Sequence, residues 1–259
     1  MEVVIVAGAE AVADAGASIV ATQVAAVPDS TLGLATGSSP LGVYRSLIER
    51  HRNGDLSFLL CEAVMLDEYV GLPPDHAQAY RTVIRRDLID SIDLPLDRLH
   101  SPDVAAADVA ASCTRYDALV RSLGVDIQLL GIGSDGHLAF NEPGSSLASS
   151  TRIKTLTDRT RADNARFFDD LDEVPRHVIT QGLGTIMEAA HLVLLATGSA
   201  KAAPIAAAVE GPVSAMCPAS VLQFHPHVTV IVDEAAASQL QLTDYYCETL
   251  AHKPSWQRH

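Results

Sequence analysis

Asp135, His137 and Glu142 fall within eight residues, directly after the apolar run Ile127–Gly131. Aspartate and histidine two apart in an extended turn project to the same side. An imidazole accepts and releases protons near neutrality, and a flanking carboxylate fixes its tautomer and raises its basicity. An isolated Asp–His pair is more often a capping aspartate beside a structural histidine. The third acid tips this cluster toward acid–base chemistry. A second acidic pair, Asp67–Glu68, ends the run Ala63–Leu66 before Gly71 and Pro73 break the chain. Neighbouring strand residues face opposite ways, so one of these two acids enters a site. Partly desolvated, that acid would have its pKa raised toward working pH, as a general base requires.

The pentapeptide Leu-Ala-Thr-Gly-Ser occurs twice, at Leu34–Ser38 and Leu195–Ser199, each time between an apolar run and a helical pattern. Turns of this kind aim free backbone N–H groups and the positive end of a helix dipole at one point, where an anion fits. Gly37, Ser38 and Ser39 belong to the first copy, with both serines as cap candidates and Pro40 in the first helical turn. Lys201, one of three lysines, follows the second copy. One copy alone would read as ordinary strand-to-helix punctuation; two copies and a lysine point to phosphate. Between 152 and 166, five basic residues (Arg152, Lys154, Arg159, Arg161, Arg166) stand against two acidic ones, a local +3. A charge run is ordinarily a solvated face, and this one gains interest from its surroundings.

Two patterns carry less. Gly131–Gly136 matches the G-x-G-x-x-G spacing of dinucleotide sites, which needs a long helix to follow. Pro143 and Gly144 leave room for about one turn, so a nicotinamide site is rejected. His225-Pro226-His227 has the look of a metal pair without a third ligand, and it reads as a loop. Cys61, Cys113, Cys217 and Cys247 are far apart, as expected of reduced thiols.

The elements that must position these residues alternate. Strands are expected at Val3–Val6, Leu32–Ala35, Ala63–Leu66, Ile127–Gly131, Leu192–Ala196 and Val228–Val232. Helices are expected at Ala11–Ala26, Pro40–Arg52, Ala77–Asp90, Ala105–Ser122, Ala200–Val209 and Glu234–Leu240. Alternation of this kind predicts a three-layer α/β fold, a mostly parallel, doubly wound, Rossmann-like sheet with helices on both faces. Ligands in such folds sit beyond the carboxyl ends of the strands, where the residues above lie. Residues 141–176 fit no single element and read as a flap over the site. No linker divides the chain, so residues 1–259 read as one domain. The 259 residues are 48% hydrophobic and 19% charged, which excludes a disordered chain. The formal charge of −14 argues against gripping nucleic acid or an anionic membrane. A start without basic residues, and no apolar span free of proline or charge, fit a cytoplasmic protein.

Taken in order, these motifs resemble the glucosamine-6-phosphate deaminase (glucosamine-6-phosphate isomerase) family. The likeness runs from about Leu32 to Asp233. Its most distinctive pieces are residues 35–40 (Ala-Thr-Gly-Ser-Ser-Pro), 66–72 (Leu-Asp-Glu-Tyr-Val-Gly-Leu) and 131–143 (Gly-Ile-Gly-Ser-Asp-Gly-His-Leu-Ala-Phe-Asn-Glu-Pro). Residues 145–149, 151–157, 164–168 and 198–202 add to it. The 6-phosphogluconolactonases share the fold and a Gly-x-Asp-Gly-His segment, but the Ala-Phe-Asn-Glu-Pro that follows resembles the deaminases.

The resemblance implies conversion of glucosamine 6-phosphate and water to fructose 6-phosphate and ammonia, without metal or organic cofactor. It implies that His137 opens the pyranose ring, tuned by Asp135 and Glu142. Asp67 would move the C2 proton to C1. Gly37, Ser38, Ser39, Lys201 and Arg166 would hold the phosphate. Ser145, Arg152, Lys154 and Thr155 match an effector pocket for N-acetylglucosamine 6-phosphate that lies at a subunit boundary in hexameric allosteric members. The tail from Tyr245 to His259 departs from those members, leaving monomer, dimer and hexamer open. A lactonase of the same fold and a non-catalytic sugar-phosphate sensor are the alternatives. A sensor would carry a helix-turn-helix, for which the chain has no room.

Overall fold

Apolar runs with no polar face require cover on both sides, and the chain supplies it. The computed structural model describes residues 1–73, 75–165, 168 and 170–254, with 159 and 163 described by backbone alone. The main sheet holds β1 (Glu2–Val6), β2 (Thr31–Leu34), β3 (Glu62–Met65), β5 (Leu99–His100), β6 (Ile127–Leu130), β9 (His191–Ala196) and β10 (Val228–Asp233). Their order is β1-β10-β9-β6-β2-β3-β5, with every pairing parallel. Helices α1 (Ala9–Ala26), α2 (Leu41–Arg52) and α3 (Tyr80–Asp87) cover one face. The other is covered by α4 (Val109–Leu123), α6 (Leu183–Ile186) and α7 (Ala202–Val209), with the 3₁₀ segment Pro218–Phe224. Successive strand residues divide between the two cores: Ala63, Leu129, Val193 and Ile231 pack with the first group, Val64, Leu130, Leu194 and Val232 with the second.

All six expected strands are present to within a residue or two at their ends. Helix α4 starts at Val109 rather than Ala105 because the Asp108 side chain accepts the Ala111 N–H at 2.9 Å, an N-cap. Residues 234–240, expected as a helix, form turns, with the Asp233 carboxylate binding the Ala236 N–H at 2.7 Å. The helix near the C-terminus is instead α8 (Thr243–Ala251), packed along β1, with Lys253 Nζ 2.9 Å from Glu2 Oε1. No described helix is long and apolar enough to cross a membrane.

A second, antiparallel sheet is not legible in the sequence. It joins β4 (Asp67–Val70), β8 (His177–Thr180) and β7 (Arg152–Thr155) in the order β4-β8-β7. Leu66 is the single residue between β3 and β4, and its carbonyl accepts the Gln181 N–H at 2.7 Å. The chain thus leaves the parallel sheet one residue before Asp67. The segment 141–176, expected as a flap, contains β7 and α5 (Asp158–Asn164), so residues 152–155 of it belong to a sheet. Isolated two-residue alternation in Arg-Ile-Lys-Thr hides β7 among charges, since Arg152 and Lys154 are the half-buried positions and Ile153 the exposed one.

Asp117 of α4 fastens this sheet to the body. Its Oδ1 accepts the Thr151 N–H at 2.8 Å, the Thr151 hydroxyl at 2.7 Å and the Thr185 hydroxyl at 2.6 Å, while Oδ2 accepts Arg121 Nε at 2.7 Å. Burial acts to raise its pKa, but the bonds from Thr185, Arg121 and Thr151 outweigh that and hold it at about 2. Asp117→Ala is expected to destabilise the chain at pH 7 by about 1–3 kcal/mol, measured by urea unfolding, because several donors lose their acceptor. A depressed carboxyl stabilises only while ionised, so the gap between wild type and variant should close as pH falls from about 4 toward 2.

Candidate active site

The strand order reverses between β2 and β6, and the loops leaving β2, β3, β6 and β9 meet there. They enclose a cleft of about 560 Å³ lined by residues 35–39, Asp67, Gly131–Ser134, His137 and Lys201, with Tyr80, Arg86 and Thr160 on its far walls. A volume of this size suits a small molecule rather than a polymer. The position is the one expected of doubly wound sheets.

Two buried phenols set the strand ends beneath it. Tyr44 of α2 donates to Ala35 O at 2.7 Å and accepts the Ala35 N–H at 3.1 Å. Tyr116 of α4 does the same at Met65, at 2.7 and 2.9 Å. The backbone just before Thr36, and that of Met65 two residues before Asp67, is thereby fixed on both polar groups. Sequence periodicity places these phenols only as helix-face positions; the cue to their role is a polar tip on an otherwise buried ring.

Asp67 is 6% exposed and lines the cleft. Burial, and then the charge of Glu68, push its carboxyl up to about 8. Glu68 points away from the cleft, as strand alternation requires. The expectation of one acid facing inward is met.

His137 also lines the cleft, at the end of a turn rather than in an extended segment. Asp135 Oδ1 accepts the His137 backbone N–H at 3.2 Å and stands 2.7 Å from His137 Nδ1. That close approach puts the carboxylate against the imidazole edge. The neighbouring imidazole holds the Asp135 carboxyl down at about 2. Gly133 makes room for the ring: a Cβ there would lie 2.2 Å from His137 Cε1.

Glu142 is not brought to His137. It is 9% exposed and its Oε1 accepts from the Thr160 and Thr157 hydroxyls, the latter at 3.3 Å. Thr157 is also the N-cap of α5, accepting the Thr160 N–H at 3.1 Å. The third acid therefore steadies the helix that brings Thr160 to the cleft.

The two phosphate-type turns differ. In the first, Gly37 takes φ 91°, a conformation side chains avoid, and Gly37, Ser38 and Ser39 face the cleft. Neither serine caps α2, whose N-cap is Pro40, so that expectation is corrected. In the second, the Gly198 N–H is taken by both Asp233 carboxylate oxygens at 3.0 Å. That turn contributes only Lys201 to the cleft lining, with Nζ 2.7 Å from Ile132 O. Arg166 lies outside the described residues. Ser145, Arg152, Lys154 and Thr155 are not part of the cleft wall; Ser145 is buried, and Arg152 bonds Ser150 O at 3.3 Å.

The family model for "Glucosamine-6-phosphate isomerases/6-phosphogluconolactonase" matches residues 6–231. The chain belongs to that family. A Streptomyces coelicolor protein named glucosamine-6-phosphate deaminase is 58% identical, with 99% of each chain covered. A solved family member described as a monomeric glucosamine-6-phosphate deaminase superposes with a TM-score of 0.90 at 42% identity, covering 92% of this chain and 100% of its own. The Trypanosoma cruzi 6-phosphogluconolactonase shares the fold, with a TM-score of 0.74 at 21% identity over 93% of this chain and 97% of its own.

Proposed function

We infer that this chain is a glucosamine-6-phosphate deaminase, converting glucosamine 6-phosphate and water to fructose 6-phosphate and ammonia. The observation that carries the reading is its 58% identity to the Streptomyces protein of that name over 99% of both chains. The cleft supports it with an upward-shifted carboxyl, an imidazole–carboxylate pair and a phosphate-type turn within one cavity.

In this reading the phosphate sits against Gly37, Ser38 and Ser39, with Lys201 as a cation and Arg166 as a second. His137, beside the Asp135 carboxylate, moves a proton from the anomeric hydroxyl to the ring oxygen and so opens the pyranose. Asp67 takes the C2 proton and returns it to C1, and one proton of the C2 ammonium passes to the C1 oxygen, so that the C1 aldehyde and C2 ammonium become a C1 alcohol and a C2 iminium. Water adds to the iminium carbon, and ammonia leaves as the ketone forms. Glu142 acts at one remove, through Thr160 and α5. Proton transfer alone suffices for each step, so the reading calls for no metal or organic cofactor. We assign the reaction to the cytoplasm, because its substrate and its carbon-containing product are sugar phosphates.

We take the monomer as the active unit, since the 42% identical solved relative is described as monomeric. Without a subunit boundary, Ser145, Arg152, Lys154 and Thr155 would not complete an effector pocket. The test is a coupled assay that follows ammonia and fructose 6-phosphate together, beside hydrolysis of 6-phosphogluconolactone. Equal amounts of the two products and no lactone hydrolysis are expected. Lactone hydrolysis without ammonia would replace the reading by a lactonase. Adding N-acetylglucosamine 6-phosphate should leave the kinetics unchanged; a fall in KM would restore the effector pocket.

A further inference from the structure

Glu68 has no part in the chemistry above, yet it is 4% exposed and more heavily bonded than either acid of the cleft. Its Oε1 accepts the Tyr69 and Tyr80 N–H groups, both at 2.8 Å, and its Oε2 accepts the Arg81 N–H at 2.8 Å. Burial raises the Glu68 pKa, and the N–H bonds of Arg81, Tyr80 and Tyr69 act against it; three donors on two oxygens, with no acceptor among its bonds, match the ionised carboxylate. Tyr80 and Arg81 open α3, whose N-cap, Ala79, has no side chain to offer. Glu68 therefore caps a helix that lies twelve residues further along the chain, and the positive end of that helix faces the charge. Helix α3 is the wall that brings Tyr80, Val83 and Arg86 to the cleft. The base and one wall of its cavity thus hang from a single strand, Asp67 facing inward and Glu68 outward.

We propose that Glu68 is a positioning residue for proton transfer by Asp67: its carboxylate locks α3 to β4 and keeps a negative charge directly behind the base. The inference rests on the role given to Asp67 above. Several other groups share the surroundings. Tyr69 of β4, Tyr80 of α3 and Tyr116 of α4 feel the Asp67 charge, and all three phenols are pushed above their ordinary values by burial. Arg81 faces Glu68, while Arg86, His137 and Lys201 line the same cleft as Asp67. None of the three phenols carries charge near neutrality. The charge of Glu68 therefore adds to burial in displacing the Asp67 carboxyl upward.

The carboxylate behind Asp67 favours the protonated base, so removing that charge lowers the pH at which Asp67 becomes competent. Glu68→Gln is expected to move the acidic limb of the kcat/KM–pH profile down by roughly one unit and to lower the plateau several-fold. A merely structural residue would lower the plateau and leave the limb in place. Glu68→Asp keeps the charge but is one methylene short of the three donors. It is expected to keep the limb and raise KM several-fold through displacement of α3. The inference is overturned if the limb of the Gln variant does not move, or if the Asp and Gln variants shift it equally. If the Gln variant does not fold, an unchanged KM in the Asp variant overturns it, as does failure of both to fold. Absence of ammonia from the wild type would be a failure of the deaminase reading, and it is scored before either variant is made.

Discussion

Asp67→Asn is expected to lose ammonia release by ~10²–10⁴-fold and, at the same time, to melt at a higher temperature than the parent. The first effect follows because asparagine cannot take the C2 proton, while the cleft that holds the sugar phosphate is unchanged in size. The second follows from linkage. Asp67 has its folded-state pKa raised from 3.8 to about 8, first by burial and then by Glu68. Below about pH 4 it is neutral whether the chain is folded or not. As pH rises through 8 the unfolded chain has long released the proton, whereas the folded chain must bury a charge. Stability is therefore lost over that interval, to a ceiling on the order of 5 kcal/mol by conversion of the displacement. A neutral amide removes this pH-dependent cost. Thermal melts of both proteins from pH 5 to 9 give the measurement: the curves should diverge as pH rises, with the variant above. Parallel curves would mean that Asp67 is not strained by ionisation. Wild-type kcat/KM should rise with pH along an acidic limb near 8 in the free enzyme.

His137→Gln is expected to cost ~10²–10⁴-fold in kcat with the natural pyranose. The loss should be confined to ring opening. An analogue lacking the C4 and C5 hydroxyls can close neither a furanose nor a pyranose ring and bypasses that step. The variant should turn it over at close to the wild-type rate, because Asp67 and the phosphate turn are intact. Equal losses on both substrates would remove His137 from ring opening and leave it a role in binding. The geometry favours the first outcome. Asp135 is held ionised against the imidazole, and Gly133 gives up its side chain so that the ring can lie over the backbone of its own turn. Such a clearance serves orientation of the ring.

The parallel sheet was legible because its strands are short, largely apolar runs such as Ile127–Leu130 and Val228–Asp233, buried on both faces. The small sheet was not, because β4 begins with two acids and β7 carries a half-buried arginine and lysine. Neither matches an apolar template, and the pairing of β4 depends on a partner more than one hundred residues away, Asp67 with Thr180. Repetition misled in another way. The pentapeptides at 34–38 and 195–199 are identical, but the second meets Asp233, which lies beyond its own window. Asp67, Asp135 and His137 were readable from residue type and spacing, and all three border or support the cleft. Glu142 was near in sequence but turned toward Thr157 and Thr160, whose strand-distant hydroxyls no local pattern discloses.

The passage through Leu66 has a consequence for how such a protein can change over time. Asp67, the base of the proposed reaction, is carried by the small antiparallel sheet, while the loop proposed to hold the phosphate belongs to the large parallel one. The two are joined here by a single residue and by a few polar fastenings, of which Asp117 is one. A substitution in β7 or β8 can therefore re-aim the acid relative to a bound phosphate without touching either apolar core. Recognition and reactivity lie on separately adjustable parts, which gives one lineage a short route to different reactions on similar phosphorylated sugars.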